Sequence, residues 1–183
     1  PPTGKGWVHE IKLDGYRVLV RLQKGEASIW TRSGLDWTDR LGTVAAAAER
    51  LPVTDAVLDG ELVALDDQGR TSFSALQRAM GTGGTSLYVY AFDLPWLDGY
   101  DLRDLTLVRR KELLARIVPT GTGRIRYSEH LDRGGDEVLA QACALGAEGI
   151  VSKRAEAHYR SGRSRDWIKV KVRLHQELVV GGW

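Results

Sequence analysis

A single cysteine, Cys143, leaves no possibility of an intrachain disulfide. That fits a reducing compartment. Cys143 lies in an Ala-rich helical pattern and reads as a small core residue. The four histidines are scattered, and no Cys/His cluster has the spacing of a zinc site. No apolar run approaches the ~20 residues of a membrane-spanning helix. The segment Gly81-Thr82-Gly83-Gly84-Thr85 lacks the lysine and the spacing of a P-loop. It reads as a flexible loop with no phosphate role. Charge of one sign is not in excess, since the net charge is only +2. Bulk charge therefore says little about partners, and no internal repeat is present.

What remains is ordinary for a soluble globular protein: 183 residues, 43% hydrophobic and 27% charged. That is enough for one domain with a sizeable core. The charge is unevenly placed. From Gly149 to Arg173 eight basic residues face two acidic ones. Such a patch suits nucleotide phosphates or a nucleic-acid backbone, or else is a solvated basic face.

Alternation of apolar and polar residues predicts strands over 7–11, 16–23 and 27–31. The first two flank an Asp14-Gly15 turn. A helix is expected over 37–51, stopped by Pro52, and a strand over 56–65 broken by Asp59-Gly60-Glu61. A short helix follows over 72–80, with Ser72 and Ser74 as candidate N-terminal caps. Strands are expected over 87–94, 124–128, 148–153, 166–172 and from 176, with helices over 107–118 and 135–145. Hairpin-style connections dominate, which predicts an α+β class with mainly antiparallel sheets. Residues 1–6 read as a linker. The apolar strand near the end reads as the start of a further domain.

The motif that stands out is Lys-x-Asp-Gly-x-Arg, formed by Lys12, Asp14, Gly15 and Arg17. Four specified residues meet by chance in a chain of this length roughly once in a thousand cases. A charged hairpin turn is the ordinary explanation, because Asp-Gly is a strong turn signal. The chemical explanation makes Lys12 a nucleophile, which requires a neutral amine. An ordinary lysine titrates near pH 10.4, so other groups must activate it. Lys169 and Lys171 alternate on one strand and so share a face. Two cations near Lys12 would favour its neutral form, and the same pair could hold phosphate oxygens.

Lys12-x-Asp14-Gly15-x-Arg17 is followed in order by Thr31-Arg32-Ser33-Gly34, Asp59-Gly60-Glu61-Leu62 and Tyr90-Ala91-Phe92-Asp93. Then come Glu148-Gly149-Ile150-Val151-Ser152-Lys153 and Trp167-Ile168-Lys169-Val170-Lys171. This ordered set resembles that of the covalent nucleotidyltransferases, which comprise DNA ligases, RNA ligases and RNA capping enzymes. It is most similar to the ATP-dependent DNA ligases. The segments 6–17, 159–167 and 177–183 are similar, more narrowly, to the ligase module of bacterial end-joining proteins called ligase D.

The resemblance implies two mainly antiparallel β-sheets flanked by helices, with a nucleotide cleft between them. It implies an adenylation domain over 7–174, with 175–183 opening an oligonucleotide-binding domain. Lys12 would carry AMP taken from ATP. Asp14 would act mainly in nick sealing. Lys169 and Lys171 would hold the α-phosphate. Glu10 and Ile11 would lie along the adenine edge, and Phe92 would stack on the base, with a core role as its rival. Arg17 and Arg32 would contact nucleotide or nick phosphate. Glu148 would bind Mg²⁺ or Mn²⁺, with Glu61 near the ribose and metal. Trp167 reads as a packing residue.

The implied partners are nicked or broken double-stranded DNA and a DNA end-binding repair protein. The implied setting is a monomer in a bacterial cytoplasm, at the nucleoid and away from membranes. Such a chain, without its following domain, is expected to carry AMP but to charge Lys12 poorly. An RNA ligase or GTP-dependent capping enzyme, and a non-catalytic nucleic-acid-binding module, are the alternatives.

Overall fold

The computed structural model describes residues 1–81, 86–118, 123–162 and 164–172. Along the chain run β1 (Trp7–Ile11), β2 (Tyr16–Gln23), β3 (Glu26–Thr31), α1 (Gly42–Ala48), β4 (Ala56–Ala64) and α2 (Phe73–Gly81). Then come β5 (Leu87–Leu97), β6 (Tyr100–Asp101), α3 (Leu107–Ile117), β7 (Ile125–Tyr127), α4 (Gly135–Ala144), β8 (Gly149–Arg154) and β9 (Trp167–Lys171). The smaller sheet has the order β1-β8-β9. The larger runs β3-β2-β4-β5-β6, with β7 also on β5. Every pairing is antiparallel except β5 with β7. The expected fold class, two mainly antiparallel sheets with flanking helices, is the observed one.

Strand alternation decides which side chains go where. On β2, Val18, Val20 and Leu22 are buried. They join Leu58 and Leu62 of β4, Val89 and Ala91 of β5, and residues of α1, α2 and α3 in the main core. The intervening Arg17, Glu61 and Phe92 therefore project from the other face. The smaller sheet uses the same device. Ile11, Ile150 and Val170 pack on Val138 and Ala142 of α4. Glu10, Lys153 and Lys169 then face the opposite way, towards the polar face of the larger sheet.

Asp14-Gly15 is not a hairpin. β1 pairs with β8, whereas β2 pairs with β3 and β4, so the turn carries the chain from one sheet to the other. The close approach explains the glycine: a Cβ on Gly15 would lie 2.1 Å from the Leu62 carbonyl oxygen.

Other boundaries differ for local reasons. The helix expected over 37–51 starts late, because the Trp37 amide donates to the Ile29 carbonyl and the Ile29 amide to the Thr38 hydroxyl. A 3₁₀ turn over Asp39–Leu41 intervenes before α1. The strand expected to break at Asp59-Gly60-Glu61 instead runs through it, absorbing register shifts against β5. Ser72 caps α2 by accepting from the Ala75 amide at 3.3 Å, whereas Ser74 lies inside the helix. Cys143 is exposed, not core, because α4 turns Val138 and Ala142 inward. Most of the expected loop after Gly81, and the expected domain start over 175–183, lie outside the described residues.

Gly15→Ala is expected to cost about 3 kcal/mol or more, since backbone must move to admit the methyl. Gly42→Ala, at a helical position with open space around it, should stay within about 1 kcal/mol of the parent. Urea denaturation of the two variants checks this.

Candidate active site

Lys12 follows β1 directly, and its amide donates to the Gly149 carbonyl at 2.9 Å. Its Nζ forms an ion pair with Glu148 Oε2. The other oxygen, Oε1, pairs with Lys171 Nζ at 3.0 Å. One carboxylate thus joins the candidate nucleophile, Lys12, to one of the two expected phosphate-binding cations, Lys171. Burial alone would raise the Glu148 carboxyl; the hydrogen bonds from Lys12 and Lys171 overcome it and hold the group below the usual range. Gly149 permits this geometry, because a Cβ there would meet the Val170 carbonyl oxygen at 2.0 Å.

Lys171 reaches Glu148, while Lys169 bears on Glu61. Burial pushes the Glu61 carboxyl up to about 7, even though Lys169, Lys12 and Arg17 pull it down. Glu61 sits between Arg17 and Tyr90 in the sheet register. Arg17 grips the fully buried Asp59, with Nε donating to Oδ1 at 2.9 Å and Nη2 to Oδ2. Those hydrogen bonds hold the guanidinium charged. Its carbon also lies 5.7 Å from the Phe92 ring centroid and 5.4 Å from that of Trp167.

Phe92 is buried rather than an open shelf, with 8% of its surface exposed. It packs edge to face on Trp167 at 5.5 Å, as expected of Trp167 as a packing residue. Lys153 Nζ stands 4.3 Å from the Phe92 centroid and 4.1 Å from that of Trp167. That ammonium lies 2.8 Å from Glu10 Oε1, yet makes no hydrogen bond of good geometry.

Glu10 is also buried. Its Oε1 accepts from Lys111 Nζ at 2.8 Å and its Oε2 from the Ser128 hydroxyl at 2.9 Å. Burial raises the Glu10 carboxyl, but Lys153 and Lys111 outweigh it and hold it low. Lys111 also donates to the Ser128 carbonyl at 2.8 Å.

Two cavities border these groups. One of about 960 Å³ is lined by Ile11, Asp14, Tyr90, Arg126 and Glu148. The second, about 420 Å³, is lined by Arg17, Arg32, Tyr159, Arg160, Trp167 and Lys169. Arg32 is exposed, and Asp14 is half-buried with no ion pair among the described residues. The structure thus gathers Lys12, Glu148 and Lys171, sets Arg17, Arg32 and Lys169 around one basic cavity, and places Asp14 and Ile11 at the other. Glu10 and Phe92 line neither.

Lys111 and Tyr159 carry no role in the sequence reading. A signal for Lys111 existed. The helical spacing Leu107, Arg110, Lys111, Leu114 puts two cations on the core-facing stripe of α3, and all four are buried. Buried cations require buried acids; these are Asp93 for Arg110 and Glu10 for Lys111.

The profile of the ATP dependent DNA ligase domain family matches residues 2–171. The chain belongs to that family. It is 46% identical to the multifunctional non-homologous end joining protein LigD of Pseudomonas aeruginosa, over 100% of this chain and 22% of that protein. It is 36% identical to LigD of Mycolicibacterium smegmatis, over 98% of this chain and 23% of that protein. The chain thus spans under a quarter of these curated relatives. Among solved structures, the ligase domain of Mycobacterium tuberculosis LigD matches with a TM-score of 0.77 and 31% identity, covering 93% of this chain and 58% of that one. A mycobacterial DNA ligase D complexed with ATP and MES matches with a TM-score of 0.74 at the same identity and coverage.

In this DNA ligase domain, the raised Glu61 carboxyl has a sign that can be checked. A folded value near 7 against an ordinary 4.5 means that the folded state holds the extra proton between those limits. Stability from this group is therefore present at acid pH and lost as pH rises through that window. Glu61→Gln should gain stability relative to the parent as pH rises from about 4 to 8. A urea-midpoint difference that stays constant with pH would contradict this.

Proposed function

We propose that this chain is the adenylation module of a DNA ligase that joins broken or nicked double-stranded DNA. The observation that carries the reading is the ion pair of Lys12 with a carboxylate shared by Lys171. It stands at the junction of two sheets, beside a cavity large enough for a nucleotide. Lys12 Nζ attacks the α-phosphorus of ATP; a P–N bond forms, the α–β P–O bond breaks, and pyrophosphate leaves. The AMP then passes to a DNA 5′-phosphate, and a 3′-hydroxyl displaces it to close the strand.

For Lys12 to attack, its nitrogen must leave Glu148. Incoming phosphate oxygens give Lys171 and Lys169 a new partner and loosen that pairing. Arg17, Arg32 and Lys169 line the basic cavity and suit the 5′-phosphate of the nick, where Arg offers a planar fork. Asp14, at the other cavity, suits the 3′-hydroxyl side. Glu10 and Ile11 would border the base, and Phe92 would stack on it.

No group of three or more His, Cys, Asp or Glu among the described residues forms a metal cage. The residues present fit Mg²⁺ or Mn²⁺ of another kind: an ion held by Glu148, with Glu61 nearby, that completes its shell with substrate phosphates and water. Bound there, it would neutralise phosphate charge.

The relatives named for non-homologous end joining support a role in break repair. An end-binding repair protein as partner, a monomeric state and a place at the bacterial nucleoid belong to the same proposal. No helix among the described residues is long and apolar enough to cross a membrane. The segment 1–6 is proposed as a linker, and 175–183 as the start of an oligonucleotide-binding domain.

Mass spectrometry after incubation with a divalent cation and either ATP or GTP tests the reading. An AMP adduct on Lys12 is expected with ATP, absent with GTP and absent in Lys12→Ala. An adduct on another residue, or equal labelling by GTP, would overturn it.

A further inference from the structure

Tyr159 has no place in the chemistry above, yet it contacts β4 through Asp59, α3 through Arg110 and the segment before α3 through Arg103. Asp59 and Asp93 are register partners on β4 and β5, and both are fully buried. Each is held by an arginine fork. Arg17 takes Asp59, and Arg110 takes Asp93 with Nε–Oδ1 2.6 Å and Nη2–Oδ2 2.9 Å. Tyr159 spans the two pairs. Its hydroxyl donates to Asp59 Oδ2 at 2.9 Å, and its ring lies 5.7 Å from the Arg110 guanidinium carbon. Burial, and then Asp59 itself, push the phenol up from its ordinary value, so it remains a donor.

The backbone around Tyr159 is fixed as well. Its amide donates to the Arg103 carbonyl at 2.9 Å, and Arg110 Nη1 donates to the Ala157 carbonyl at 3.1 Å. This segment belongs to the β8–β9 connection of the smaller sheet, yet all these partners belong to the larger sheet or to α3 and the segment preceding it. The next residue, Arg160, lines the basic cavity with Arg17, Arg32 and Lys169.

We propose that Tyr159 is a positioning residue: its hydrogen bond to Asp59 fixes Arg17 and the loop carrying Arg160 in one frame, so that both guanidinium groups meet a nick 5′-phosphate together. The inference rests on the reading of that cavity as the seat of the 5′-phosphate. An anion gripped by groups from separate elements is held tightly only when those groups are already in place. Without the hydroxyl, Asp59 and Arg17 keep their fork, but the loop loses its tie to it.

The test uses two nicked duplexes that differ only in a 5′-phosphate or a 5′-hydroxyl at the nick. Their affinities are compared by fluorescence anisotropy, with urea midpoints measured in parallel. The parent should prefer the phosphorylated nick, and Arg160→Ala should lose that preference by about tenfold, one charge-assisted contact. Tyr159→Phe should lose a similar share, while its affinity for the 5′-hydroxyl duplex stays unchanged. If Arg160→Ala loses the preference and Tyr159→Phe keeps it, the positioning role is overturned and the cavity reading stands. If neither Arg160→Ala nor Arg32→Ala alters the preference, the cavity reading fails and takes the inference with it. An equal loss for both duplexes in Tyr159→Phe, with a lowered urea midpoint, would make Tyr159 a fold residue only.

Discussion

The chain crosses from one sheet to another between Ile11 and Tyr16, and the site depends on how tight that crossing is. Lys12 leaves the smaller sheet and Arg17 enters the larger one, so a short run of sequence supplies facing walls of one cleft. The approach is so close that Gly15 cannot carry a Cβ beside Leu62. A second close approach, of Gly149 to Val170, sets Glu148 beside Lys12. The glycine of the motif is there for backbone clearance, and Lys12 inherits its position from that clearance.

The two sheets are joined by polar contacts more than by oil. The larger sheet packs on an extensive apolar core, whereas the cluster joining the smaller sheet to α4 holds three buried residues among those described, Val138, Ala142 and Ile150. What ties it down is charge: Glu10 to Lys111 of α3, and Tyr159 to Asp59 of β4. Phe92, Trp167, Arg17 and Lys153 close the interface. Buried ion pairs contribute little net stability but punish the loss of one partner. They also hold side chains of the two sheets in fixed contact. Among these groups, Lys153 Nζ stands over the rings of both Phe92 and Trp167.

Local pattern made most of the strands legible, since alternation survives wherever one face meets a core. Ser72 as a cap was legible for the same local reason. The sheet partner of β1 was not, because Asp-Gly reads as a hairpin turn whether the chain returns to the same sheet or departs to another. Trp37 looked helical, but its amide is taken by Ile29 across the turn, a tertiary event with no local sign. Cys143 neighbours Ala142 on α4, and composition could not say which of them faces inward. At the site, the ordered motifs name Lys12, Glu148 and Lys171, but only the fold shows that Glu148 pairs with both lysines. The burial of Glu10 had no local sign, since Trp7–Glu10 are all buried rather than alternating, while its partner was foreshadowed by the two cations on the inner stripe of α3. Joining the two required the fold.

The central claim is that Lys12 forms a reversible phosphoramidate with AMP, releasing pyrophosphate. Isotope exchange between labelled pyrophosphate and ATP in the purified protein with a divalent cation measures this step without DNA. The account predicts label entering ATP and complete loss of exchange in Lys12→Arg, which keeps the charge and the ion pair with Glu148. Exchange that persists in Lys12→Arg would contradict it.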